Sequence, residues 1–149
     1  MKDYLKIILA TGAMLLATLP IKGMFHDAPL HNAVRGGDLE TVTRLLSASV
    51  DLEVRDHNGN TSLHLAVGLG DQEMVMLLLR AGANVNMRNN NGNVPLHLAV
   101  RLGDQEIATL LLNTGANPGA QNNNGNGPLD FAVYLSDQEM ETLLLRAGA

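Results

Sequence analysis

The chain has no cysteine, confines lysine to its first 22 positions and spends only 3% of its 149 residues on aromatic rings. Each shortage excludes something. Without cysteine there is no disulfide, no thiolate metal site, no lipid attached through sulfur and no thiol nucleophile, and either redox compartment is tolerated. With so few rings the core must be filled by Leu, Val, Met and Ala, which suits helix bundles and solenoids. Lysine occurs only as Lys2, Lys6 and Lys22, so from Met24 onward seven arginines face fourteen aspartates and glutamates. Such an acidic body repels phosphate backbones, because nucleic-acid affinity rests on cationic neutralisation. DNA and RNA are not expected as main partners.

A membrane-spanning run is missing as well. The longest apolar stretch, Ile7 to Ile21, covers 15 residues, short of the roughly 20 that a crossing helix needs. It follows a short basic start (Lys2, Lys6) and ends at Pro20, Lys22 and Gly23. That order is the pattern of a secretory signal peptide over residues 1–23. No Ala-x-Ala precedes the exit; cleavage is best placed after Gly23, with Ala17 as the other position. The alternative is an uncleaved segment that anchors the chain at a membrane.

What the rest of the chain has in abundance is itself. Ala28-Pro29-Leu30-His31 aligns with Thr61-Ser62-Leu63-His64, Val94-Pro95-Leu96-His97 and Gly127-Pro128-Leu129-Asp130, each 33 residues after the last with no insertion. Behind each start come an Ala-Val pair, a small residue, Asp-x-Glu, a Leu run and a Gly-Ala or its substitute. Strict self-similarity at this period marks a solenoid, whose units bury their apolar faces only against neighbours. The division is a linker over 24–27 and a repeat domain over 28–149, with units 28–60, 61–93, 94–126 and 127–149.

In the second unit Thr61 is placed to cap a helix of about two turns, its hydroxyl accepting from a first-turn N–H. Gly70 breaks that helix and Asp71 caps the next, with Glu73 where the helix dipole favours negative charge. Met74, Leu77 and Leu78 form one apolar stripe. Arg80 closes the last turn, Gly82 takes the left-handed position, and an Asn-rich loop ends at Asn91-Gly92. The unit reads as helix, tight turn, helix, protruding hairpin-like loop.

Thr61-Ser62-Leu63-His64-Leu65-Ala66 and Val94-Pro95-Leu96-His97-Leu98-Ala99 resemble the Thr-Pro-Leu-His-x-Ala signature of ankyrin repeats, which share this period. The Gly82-Ala83 and Gly115-Ala116 pairs and the Asn-Gly loops match the same pattern. The resemblance spans 28–149 and implies an all-α ankyrin-repeat solenoid of stacked helix-turn-helix units. It also implies that the repeat histidines tie neighbouring loops by hydrogen bonds.

The end units differ from the middle. Asn32, Thr41 and Arg44 stand where later units have Leu65, Met74 and Leu77, and Glu141 stands where Val42, Val75 and Ala108 occur. Polar outer faces are what terminal repeats require. Four complete repeats are the expectation, and a truncated longer array is the competing one. Ser49-Val50 replaces the Gly-Ala pair, which puts Ser49 at positive φ and marks the first unit as the one to fray.

Apparent constellations of chemistry dissolve on inspection. His31, His64 and His97 lie roughly 8–10 Å apart in packed repeats, whereas zinc needs ligand nitrogens about 2.0–2.1 Å from one ion. The Asp-x-Glu pairs open helices, and Gly59, Gly92 and Gly125 are turn glycines without a P-loop lysine. The Asn89–Asn91 and Asn122–Asn124 runs are loop tips, where Asn tolerates left-handed backbone. No catalytic group, cofactor, metal or small-molecule substrate is expected.

The family resemblance places partner binding on the loop tips and the exposed ends of each first helix. The tips carry Arg55, His57 and Asn58, then Arg88, Asn90 and Asn91, then Gln121, Asn123 and Asn124. The helix ends carry Arg35, Leu69, Arg101, Leu102 and Tyr134. Four arginines beside apolar groups suit an acidic or mixed segment of another protein. The expected role is a non-enzymatic, monomeric protein–protein interaction module, exported to the periplasm or released. A membrane-tethered scaffold is the alternative, and an enzyme is disfavoured.

Overall fold

The computed structural model describes residues 29–149. The segments read as signal peptide and linker lie outside the described residues. Among the described residues there are eight helices and no strand. They are α1 (Pro29–Arg35), α2 (Leu39–Ser47), α3 (Ser62–Leu69), α4 (Gln72–Arg80), α5 (Pro95–Leu102), α6 (Gln105–Asn113), α7 (Pro128–Leu135) and α8 (Gln138–Ala147). Consecutive pairs form helical hairpins. First helices stack α1 on α3 on α5 on α7, and second helices stack α4 on α6 on α8. Main contacts run within a unit or between adjacent units, as a solenoid requires.

The second helices start where the sequence says they should. Oδ1 of Asp38, Asp71, Asp104 and Asp137 accepts the N–H of Thr41, Met74, Ile107 and Met140 at 2.9–3.0 Å. The first helices start differently. Thr61's hydroxyl makes no cap bond to the backbone. Instead His64 reaches back, its Nδ1 accepting the Thr61 N–H at 3.2 Å, with the hydroxyl 2.9 Å from the same nitrogen. His97 does this for the Val94 N–H at 3.2 Å, and Asp130 for the Gly127 N–H at 2.7 Å. The imidazole, one turn inside, thus accepts the N–H of the residue that precedes the helix. Because His97 or Asp130 satisfies that N–H from three positions on, Val94 and Gly127 can occupy the position without a polar side chain.

The core is a column of equivalent residues. Leu63, Val67, Met74 and Leu78 in one unit, and Leu96, Val100, Ile107 and Leu111 in the next, are at most 1% exposed. A recess of about 210 Å³ lies between the first and second units, lined by Leu39, Thr43, Met76 and Leu77. At the other end Leu144 is buried, but Val133 and Leu145 are more than half exposed.

Two non-glycine residues take the left-handed conformation, Ser49 and Ser136, both at φ 56°. Ser49 is the expected one. Ser136 stands where other units have Gly37, Gly70 and Gly103, a departure equally visible in the alignment.

Candidate functional site

Each loop is closed by one side chain. Asp56 Oδ1 accepts the N–H groups of Asn58 and Asn60, both at 2.9 Å. Asn89 holds Asn91 and Asn93 in the same way at 3.0 and 3.1 Å, and Asn122 holds Asn124 and Asn126 at 2.9 and 3.1 Å. The asparagines therefore do not serve by adopting left-handed backbone, as their position in the sequence suggested. Positive φ falls on Gly59, Gly92 and Gly125. At Gly59 a Cβ would also stand 2.7 Å from the Asn90 backbone nitrogen, so side-chain-free approach of the next loop is required there.

Successive loops are then laced together. Nδ2 of Asn89 donates to Oδ1 of Asn60 at 2.9 Å, and Nδ2 of Asn122 to Oδ1 of Asn93 at 3.0 Å. Asn90 donates to the His57 carbonyl at 3.0 Å and Asn123 to the Asn90 carbonyl at 2.9 Å. Below them, Nε2–H of His31, His64 and His97 donates to the carbonyls of Asn60, Asn93 and Asn126 at 3.0–3.1 Å. His64 and His97 thus bridge two backbones each as neutral rings. Burial, partly offset by those carbonyls, pushes both pKa values below the ordinary 6.5. His97 also packs edge-on against Phe131 of the next unit at 6.0 Å.

The four arginines do not stand as one free set. Arg35 donates to Oδ2 of Asp56 at 3.0 Å, and the Asp56 carboxylate is 1% exposed. Burial resists ionisation of that carboxyl, but the Asn60 and Asn58 N–H groups outweigh it and hold the pKa below the usual 3.8. Arg88 reaches Oδ1 of Asn123 at 3.3 Å. Arg55 is exposed at the first tip beside His57 and Asn58. Arg101 is exposed and, among the described residues, has no hydrogen-bond or ion-pair partner.

Between the tips and the first helices runs a groove of about 540 Å³. It brings together Arg35, Asn58, Leu69, Asn90, Asn91 and Arg101 from the sequence-predicted set. It adds Leu65 and Leu98, read from the sequence only as inter-repeat contacts. A second recess of about 400 Å³ lies on the other side of Arg101 and holds Tyr134 with Asp130, Phe131 and Leu135. Leu102 is placed apart, beside Asp104 and Glu106 at a helix start. Gln121, Asn123 and Asn124 stay exposed at the last tip, outside both recesses. The repeated Leu65/Leu98/Phe131 position was the signal for the missed floor, since it lies one turn before Leu69, Leu102 and Leu135.

Among the described residues no group of His, Asp and Glu could hold a metal ion. A family model described as ankyrin repeats (3 copies) matches residues 30–122 and again residues 86–149. No curated protein matches the chain.

Proposed function

Since the chain belongs to the ankyrin-repeat family, we propose that it is a non-enzymatic module that binds another protein along the face made by its loop tips and first helices. Ankyrin repeats generally mediate binding to protein partners, and the family is typically non-enzymatic. Arg101 carries the reading to this face. Its guanidinium has no partner among the described residues and stands between a groove with leucines on one wall and asparagines on the other and a mainly apolar recess. Arginine in such a setting is a favoured hot-spot residue, because a bidentate carboxylate pair there is shielded from water.

The test is Arg101→Ala on the full chain, with a partner first recovered by cross-linking and then purified. Affinity should fall about tenfold, equivalent to about 1.4 kcal/mol, with an unchanged melting temperature. Unchanged affinity would put the site elsewhere. Arg88→Ala is a poorer test, because it also removes a tie between loops.

Export by residues 1–23 belongs to the same proposal, supported by their basic start, apolar centre and Pro20 exit. Mass spectrometry of the N-terminus should find Met1 removed, with the new terminus at Met24. Met1 intact in a membrane fraction would favour a tethered scaffold, and Met1 intact in a soluble fraction would overturn both.

A further inference from the structure

We propose that the central groove is a socket for one kind of protein segment, an extended stretch whose acidic residue is bracketed by large apolar side chains. The inference rests on the binding role proposed above and specifies its ligand.

Gly68 is the starting observation. The other units place Arg35, Arg101 and Tyr134 at its position. Gly68 lies inside α3, and its backbone is not left-handed. A Cβ built on it would meet nothing within 4 Å. Neither conformation nor packing therefore demands glycine, although glycine inside a helix costs stability relative to alanine. What the missing side chain does is open the groove floor. Leu65 and Leu69, the latter 57% exposed, line the helix side with the more buried Leu98, and the loop-tip asparagines form the facing wall, whose amides suit the backbone of an extended segment.

Charge then selects the occupant. No carboxylate lines this groove, although acids outnumber arginines in the domain. Arg35 at one side is paired with Asp56. Arg101 at the other, with no partner among the described residues, is the cation left for a ligand carboxylate. Beyond Arg101 the recess of Tyr134 and Leu135, 85% and 46% exposed, offers a second apolar seat. Asp130 on its wall is engaged with the Gly127 N–H. An apolar seat on each side of one guanidinium matches an acidic residue with an apolar neighbour on each side. Stacked helices stand roughly 8–10 Å apart, so α3 to α7, which carry the two seats, span roughly 16–20 Å, about five or six residues of extended chain.

Panning the full chain against phage-displayed short random peptides tests this without a known partner. Enriched peptides should carry Asp or Glu flanked by Leu, Phe, Tyr or Trp. They should bind Gly68→Leu about tenfold more weakly, although that variant should melt no lower than the parent. Arg101→Glu should shift the selection to peptides with Lys or Arg in place of the acid. Peptides that respond to Arg55→Ala or Asn124→Ala but not to Gly68→Leu or Arg101→Glu would overturn the socket and leave the binding face standing. Peptides indifferent to every change on the face would overturn both. No enrichment over heat-unfolded chain would also overturn the socket.

Discussion

At the scale of single residues, His64 and His97 do work that no other side chain combines. Each accepts from its own helix start through Nδ1 and donates to the next loop through Nε2, so protonation of Nδ1 breaks the first contact. Their folded pKa values lie below the ordinary 6.5. The unfolded chain therefore binds the proton first as pH falls, and stability drops. The contribution is complete above about pH 6.5 and declines below it. Melting temperature should fall between pH 7.5 and 5.5, and His64→Gln with His97→Gln should flatten that slope. A slope unchanged by the double variant would contradict the neutral bridging role. Ser49 and Ser136 carry a different cost, a left-handed backbone imposed on a residue with a Cβ. Ser49→Gly or Ser136→Gly should each stabilise the fold by about 0.5–1 kcal/mol, read as a rise in melting temperature. Both positions were legible in the alignment, because glycine holds that site in other units.

At the scale of the element, the loop is built around one carboxylate or carboxamide. Asn122 is buried, holds two backbone N–H groups and ties its loop to Asn93. Asn122→Ala removes all of these and leaves two donors without partners. It should cost about 1–3 kcal/mol and loosen amide exchange at Asn124 and Asn126. Asn122→Asp should keep the turn, since Asp56 already makes it. The helices were legible from their Asp caps and Leu stripes. The loops were not, because an Asn run spells turn in any protein, and only neighbouring copies reveal which amide group meets which carbonyl. The cap of α3 was misread for a related reason: Thr61 is a good acceptor for a first-turn N–H, but its hydroxyl lies 2.9 Å from His64 Nδ1 and is engaged there instead.

At the scale of the whole molecule, stability is the sum of interfaces between neighbours, so position along the stack matters. Leu111 and Leu78 are fully buried in the middle units. Either change to Ala should cost about 2–5 kcal/mol through lost burial and a cavity, measured by chemical denaturation. The first unit, with its strained Ser49 and the recess between α2 and α4, should show the lowest hydrogen-exchange protection of the four. The groove exists only at this scale. It is shared by α1, α3, α5 and their loops, so no single unit contains it.

Read alone, the sequence determined the period, the helical hairpin, the capping aspartates, the end-unit substitutions and the family resemblance. It could do so because repetition averages away local ambiguity: a pattern seen four times in register is a contact pattern, not an accident of composition. The tertiary structure decided which arginine is left without a partner, which asparagines are spent on lacing the loops, and where a glycine opens the floor. These depend on side chains from different units meeting across the stack. Whether Arg35 or Arg101 finds a carboxylate turns on the residue 21 positions later, Asp56 in one case and Asn122 in the other, and only stacking brings that residue within reach.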